Sequence, residues 1–593
     1  MTEQYLRELK AKVDKVTRPG EIEEILDHKT MYERLKETAL RKPDYPAILY
    51  MGNTITYRQL LTLVDTAAKG FRDLGIGRNT VVAMSMLASP YGIVSLYALD
   101  KIGATMHMVN CASSTEEIKR ELEKIPTKHF VANDIFCGKE MRNLLDSLGV
   151  EHIVTTSLLD GLPMGFNKDK IKFSLIEKLK GPSKKDYKDS KMITFEELLT
   201  IGRNDTTTLE ETHYTPNKLV AIAYTSGSTG NSKGCMATWE GIDSMIQVMG
   251  MTELGRFEPT DVMFATFPLW IYYSLLNMIH EPLVLGVALA LDPLFNPKDI
   301  AKRNELYKFN HWLTIPPYIK TMAESGKKID CSRWKLIITG GAALENIVKI
   351  KADKFIRENG GTAKVEQGYG ASECLGCFSY GYTKNPTMGS LGTPCVGNII
   401  KVLDVDTKEE LGPGQSGVGY IYSPALMAGY YGDPEATSHN LVQDENGVTW
   451  YNTEDLISVN KNGELFLEGR IRRIALTIDS KGNPTKIIPE RTKKSLMGMR
   501  EISNCEVITV PDEQVVNKAI AFVVPKEGVM PDDTLRRKII DHCLLNVPEY
   551  MVPAEVVYLE TIPLNAGKKP DLIELERIYK EQNNVQAKKK TRK

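Results

Sequence analysis

At 593 residues the chain is long enough for more than one domain. Its 42% hydrophobic and 25% charged content is that of an ordinary water-soluble globular protein. The 75 basic and 76 acidic residues nearly cancel, so no global field draws nucleic acid or an anionic membrane, and nine cysteines are too few for a disulfide scaffold.

The opening MTEQYLRELKAKVDKV is charged and lacks an apolar core or a small-residue cleavage site. The reducing cytoplasm is therefore the expected compartment. Further on, TVVAMSM (Thr80–Met86) predicts a strand, SPYGIVSLYALDKIGA (Ser89–Ala104) a helix ending at Gly103, and KHFVAND (Lys128–Asp134) the next strand. Between them, Ser113 or Ser114 can cap a helix with Glu116 and Glu117 in its first turn. Strands and helices keep alternating, which predicts an α/β fold with parallel pairing. From about Phe166 to Ser190 the chain turns lysine-rich and loses periodicity, the mark of a surface insertion. The longest apolar run lies near Leu283–Leu291, far short of the ~20 residues of a membrane span. Cys374 and Cys377 form a C-x-x-C, but no second pair or histidine set at zinc spacing lies nearby.

Three segments share one grammar, an apolar strand followed by a glycine loop, with a helix after the first two. They are KLVAIAYTSGSTGNSKG with WEGIDSMIQVMG behind it, WKLIITGGAALE, and AKVEQGYGASE. Ligands of open α/β sheets sit beyond the carboxyl ends of strands, so the three loops predict one composite site. The first loop is short and follows a buried-strand signal, unlike a Gly/Ser linker. It also fails as an ATPase loop of the form G-x-x-x-x-G-K-[ST]: Ser232 stands where the second glycine belongs, and Gly234 follows Lys233 where a metal-binding hydroxyl is needed. Backbone amides, the hydroxyls of Thr225, Ser226, Ser228 and Thr229, and the Lys233 ammonium can still hold phosphate. The metal must then come from elsewhere.

The sequence YTSGSTGNSKG (Tyr224–Gly234) resembles the phosphate loop of the acyl-adenylate-forming superfamily, most like its acyl-CoA synthetases. Further motifs follow in that superfamily's order: TMYERLKETALRKPDYPAILYMGNTITYRQL, GGAAL (Gly340–Leu344), GYGASE (Gly368–Glu373), AGYYGDPEAT (Ala428–Thr437), WYNTEDL (Trp450–Leu456), EGR (Glu468–Arg470) and PLNAGKKPD (Pro563–Asp571). The resemblance spans roughly residues 30–580.

The resemblance implies a large N-terminal domain of stacked mixed sheets with helices (1–469), a small α+β C-terminal domain (470–580) joined at a hinge, and a disordered basic tail (581–593). It implies ATP-dependent activation of a small carboxylic acid through an acyl-adenylate, with magnesium, and transfer to coenzyme A; loading of a separate carrier protein is the alternative. Thr225, Ser226, Gly227, Ser228, Thr229, Gly230 and Lys233 would bind phosphate, with Glu373 as the magnesium ligand and Ser372 in place of the usual threonine. Gly340, Gly341, Ala342, Gly368, Tyr369 and Gly370 would surround AMP, and Asp455 and Arg470 its ribose. Arg472 falls at the hinge. The catalytic lysine aligns without a gap at Lys569, while the dipeptide GK points to Lys568. Phe267, Trp270, Ile271 and Tyr272, with Tyr273 beside them, fall in the acyl-pocket region. Ile271 replaces the histidine common in CoA ligases, and no counter-ion for an α-ammonium follows Phe267, which favours a non-amino acid. After the hinge the resemblance weakens. Residues Asp479 to Pro484 read as an insertion, and basic Arg491 and Lys493 stand where acids are usual.

Overall fold

The computed structural model describes residues 1–16, 18–163, 168–188, 191–225, 232–381, 386–564 and 570–590. The chain divides into two compact units, one of residues 1–400 with 421–451 and the other of 401–420 with 452–593.

The larger unit is built on two sheets. A seven-stranded sheet runs in the order 192–194, 152–156, 129–133, 81–85, 105–108, 219–224, 234–238. Its strands are parallel until the last, which turns back on Leu219–Tyr224. A nine-stranded sheet has a parallel centre from 365–371 through 336–339, 311–314, 262–265 and 288–291 to 46–50. Antiparallel strands close both of its edges. Helix Pro90–Lys101 is buried along almost its whole length, as is Trp239–Thr252. Both are covered on all sides, and their buried acids are paired: Asp100 accepts from the Trp239 indole and the Tyr32 amide, and Asp243 from Arg34. Local signals set the helix starts. Ser89 caps the first of these with Pro90 at its first position, and Ser114, not Ser113, caps Thr115–Lys124.

The phosphate-loop segment departs from the strand–loop–helix reading. Residues Gly234–Thr238 form a strand antiparallel to Leu219–Tyr224, so the glycine loop tops a hairpin and the helix begins only at Trp239. Residues 166–190 are also more than a surface insertion. Lys168–Lys180 is a helix whose Phe173 is fully buried in the main core, and Asp169 accepts hydrogen bonds from buried Arg303 at 2.9 and 3.0 Å. Periodicity escapes notice there because this helix carries apolar residues on two faces.

The smaller unit holds a sheet of Ile502–Asp512, Val516–Pro525 and Glu555–Tyr558, packed by helices Pro489–Met497 and Asp533–Asn546. The stretch read as an insertion is the turn of a hairpin, Ala475–Ile478 with Pro484–Ile487, where Asp479 accepts the amides of Lys481 and Asn483. Lys493 is explained by buried Glu506, which takes 2.6 and 2.7 Å contacts from Lys493 and Arg473. Burial alone would raise the Glu506 carboxyl, but these two cations hold it below its ordinary range. The expected disordered tail is corrected in part: the last helix runs from Leu572 to Lys590.

Candidate active site

The hairpin that carries the glycine loop is closed at its neck. The Thr225 amide donates to the Lys233 carbonyl at 2.9 Å, and the Lys233 amide reaches the Thr225 hydroxyl at 3.4 Å. Ser226, Gly227, Ser228, Thr229 and Gly230 lie outside the described residues. Two side chains brace the stems. Tyr272 donates its hydroxyl to the carbonyls of Ala221 (3.0 Å) and Cys235 (2.8 Å), one on each strand. His107 Nε2 lies 2.8 Å from the Tyr224 hydroxyl, and burial pushes this imidazole down to about 3, so it is neutral. Beyond the loop, Ser232 donates to Glu121 Oε1 at 3.0 Å. Burial raises Glu121 to about 7.

The segment 427–431 joins the hairpin to the other sheet. Met236 donates to Gly429 O at 2.9 Å, Ala428 to Met236 O at 2.8 Å and Tyr431 to Gly234 O at 2.8 Å, so it runs as an added strand along Gly234–Thr238. At its start Met427 donates to the Glu373 carbonyl at 2.9 Å. A side chain at Gly429, where φ is +128°, would collide with Thr437 at 2.8 Å. Tyr430 therefore sits in a fixed place. Its ring lies under the Lys233 ammonium, 4.8 Å from nitrogen to centroid, and its hydroxyl donates to Glu373 Oε1 at 2.6 Å. Lys233, Tyr430 and Glu373 form one continuous line. Tyr430 carries no role in the sequence reading, although AGYYGDPEAT holds it; the signal was a tyrosine just after a glycine in a motif of otherwise loop-forming residues.

Glu373 lies in the short 3-10 turn Ser372–Cys374 that ends strand Val365–Ala371. Among the described residues no set of three or more His, Cys, Asp or Glu side chains could hold a metal ion. A lone buried carboxylate, oriented by a tyrosine and next to a cationic, hydroxyl-rich loop, nonetheless fits magnesium, which is commonly held by one or two carboxylates plus substrate phosphates.

Of the two other glycine segments, Gly340 and Gly341 follow strand Leu336–Thr339, whereas Gly368 and Gly370 lie within the neighbouring parallel strand Val365–Ala371, paired to Gly376–Tyr380, so the expected loop is there a strand, a 3-10 turn and a second strand. A Cβ at Gly340 would lie 3.7 Å from the Gly368 carbonyl and 3.8 Å from the Tyr273 ring. At Gly370 it would lie 2.0 Å from the Gly376 carbonyl, so only glycine fits. Gly341, at φ +76°, and Ala342 are exposed, and Tyr369 is half-buried. The composite site thus draws on both sheets, with 427–431 as the bridge.

The residues of the expected acyl-pocket region have different surroundings. Tyr272 spends its hydroxyl under the hairpin, and Ile271 is 41% exposed. Trp270 packs edge-on against Phe136, and Phe267 faces Tyr318. Tyr273, at the start of a π-helical stretch Tyr273–His280, is the one that reaches the Gly340–Gly368 contact.

In the smaller unit Asp455 and Arg470 are register partners across an antiparallel ladder, and Arg470 Nε lies 3.2 Å from Asp455 Oδ1. Arg472 pairs with Glu454. Lys568 and Lys569 lie outside the described residues. The segment's ends meet: Leu564 bridges Pro570, and the Asp571 amide donates to Pro563 O at 2.9 Å.

The chain belongs to the AMP-binding enzyme family: that family's model matches residues 35–431, and the AMP-binding enzyme C-terminal domain matches 494–569. It is 25% identical over 556 residues to a 4-coumarate–CoA ligase of Humulus lupulus, covering 92% of this chain and 93% of that protein. A 4-coumarate–CoA ligase of Arabidopsis thaliana is 24% identical, covering 86% and 85%. The fold matches the crystal structure of ATP-bound MatB from Rhodopseudomonas palustris with a TM-score of 0.76 at 19% identity, over 93% of this chain and 99% of that one. It matches the o-succinylbenzoate CoA synthetase of Bacillus subtilis, solved with its acyl-adenylate intermediate, at 0.71 and 18% identity, over 93% and 98%.

Proposed function

We propose that the chain activates a small carboxylic acid with ATP and passes the acyl group to coenzyme A. The observation that carries this reading is the line from Lys233 through Tyr430 to Glu373, which ties a cation at the neck of the glycine hairpin and a buried acid to one tyrosine. A carboxylate oxygen of the acid attacks the α-phosphorus of ATP, the bond to the β-phosphate oxygen breaks, and pyrophosphate leaves. The coenzyme A sulfur, as thiolate, then attacks the acyl carbonyl and AMP departs with the electron pair. Both partners of the first step are anions, so the protein's contribution is positioning and charge neutralisation.

In this reading Lys233 and the loop hydroxyls hold the outer phosphates, and Glu373 would be the residue that holds magnesium. The ion would offset charge on the departing pyrophosphate. The segments around Gly340, Gly341 and Ala342 and around Gly368 and Gly370 would flank adenine, with Tyr369 alongside. Asp455 accepts from the ribose hydroxyls and Arg470 lies next to it. Lys569, or Lys568 in the alternative register, bridges the acid and the α-phosphate. Arg472 marks the hinge between the two half-reactions. No described helix is long and apolar enough to cross a membrane.

The test is product analysis with ATP, magnesium, coenzyme A and a panel of acids that includes 4-coumarate and o-succinylbenzoate. An acid-dependent acyl-CoA with stoichiometric AMP is expected. Acid-dependent AMP release without a thioester would move the acceptor to a carrier protein.

A further inference from the structure

The lysine-rich helix Lys168–Lys180 has a face that acid activation does not use. Its inner side is firmly held. Phe173 is buried in the core, Asp169 is paired with Arg303, and Glu177 Oε1 accepts from the Ser157 hydroxyl at 2.7 Å and the Leu158 amide at 2.6 Å. The outer side exposes Ile171 (52%), Leu175 (57%) and Leu179 (83%), spaced i, i+4, i+8, so they form one stripe along the axis. Lys168, Lys178 and Lys180 are exposed with the stripe, and none of the three forms an ion pair among the described residues. Both acids of this helix, Asp169 and Glu177, are turned inward and occupied, so the outer face carries the aliphatic stripe, lysines and Ser174, and no acid.

We propose that this face docks the enzyme on an anionic lipid bilayer. An apolar stripe edged by lysines lies in the headgroup boundary with its aliphatic side chains down and its ammonium groups at the phosphates. The chain as a whole carries almost no net charge, so the attraction is local: residues 166–190 hold eight lysines against four acids. A protein partner is the weaker fit. The stripe has no aromatic or arginine anchor of the kind that concentrates binding energy at protein interfaces, and no acid to pair with a partner's cations. The rigid inner face allows the outer one to bind without prior folding.

The experiment is co-sedimentation of the full chain with vesicles of pure phosphatidylcholine and of phosphatidylcholine containing about one-third phosphatidylglycerol. Binding to the anionic vesicles is expected to exceed that to neutral ones by about tenfold and to weaken with salt. The double variant Leu175→Gln, Leu179→Gln keeps helix-forming residues and is expected to lose about tenfold of that binding, with its melting curve and acid-dependent AMP formation unchanged. Lys168→Gln with Lys178→Gln should erase the preference for anionic over neutral vesicles. Failure of the parent chain to sediment with anionic vesicles, or equal sedimentation of parent and stripe variant, would overturn the proposal. So would a stripe variant that changes only the oligomeric state in sedimentation velocity, since a second copy would then be the occupant.

Discussion

Tyr430 ties the glycine hairpin to Glu373, the acid just after strand Val365–Ala371. Its hydroxyl donates to Glu373, and its ring lies under Lys233. In Tyr430→Phe the ring stays and the hydrogen bond goes. A hydrogen bond to a charged group is worth about 1.5–3 kcal/mol, so the half-saturating magnesium concentration for AMP formation should rise about tenfold or more. An unchanged magnesium dependence would separate Tyr430 from the metal site. Glu121 offers a second test. Burial raises its carboxyl from 4.5 to about 7, aided by Glu117 and opposed by Ser232 and Arg120. The folded state thus favours the protonated form. That stabilisation is complete below the unfolded value and is lost as pH rises through about 7. Glu121→Gln stays neutral and can still accept from Ser232, so its advantage over the parent in urea midpoint should grow from about pH 6 to about pH 8. Midpoints that run parallel across that range would count against a titrating Glu121. Neither residue was legible in the sequence. Asp455 and Arg470 were singled out through ordered motifs, whereas Tyr430 and Glu121 act through contacts across 57 and 111 residues that no local spacing shows.

Among the elements, the strand Leu219–Tyr224 and the helix after Ser89 were readable because each carries its signal locally: a β-branched apolar run in one, a serine followed by proline in the other. The strand Gly234–Thr238 was not, since its reason is tertiary. It pairs with Leu219–Tyr224 on one side and receives the 427–431 segment on the other. The helix Lys168–Lys180 was hidden for a different reason: apolar residues on both its core and its solvent sides blur a 3.6-residue period. Phe173 is its anchor. Phe173→Ala should cost about 3–5 kcal/mol in the unfolding of the larger unit, because it removes a fully buried ring and leaves a cavity. A loss under about 1 kcal/mol would mean that the helix is held by its polar contacts instead.

At the scale of the whole molecule, the ordered motifs fall in both units: the glycine hairpin, Glu373 and the glycines at 340, 368 and 370 belong to the larger, and Asp455, Arg470 and the 563–571 segment to the smaller. The acid's identity was not legible, because residues 267–272 are spent variously on packing, on bracing the hairpin and on solvent, and motif positions do not encode pocket shape. The central claim, that the chain makes an acyl-adenylate, is tested most directly by acid-dependent exchange of labelled pyrophosphate into ATP, without coenzyme A, for the parent, Lys569→Ala and Lys568→Ala. The account predicts exchange that requires an acid, falls about 10²–10³-fold in Lys569→Ala and persists in Lys568→Ala. Absence of exchange with every acid in the panel would contradict it.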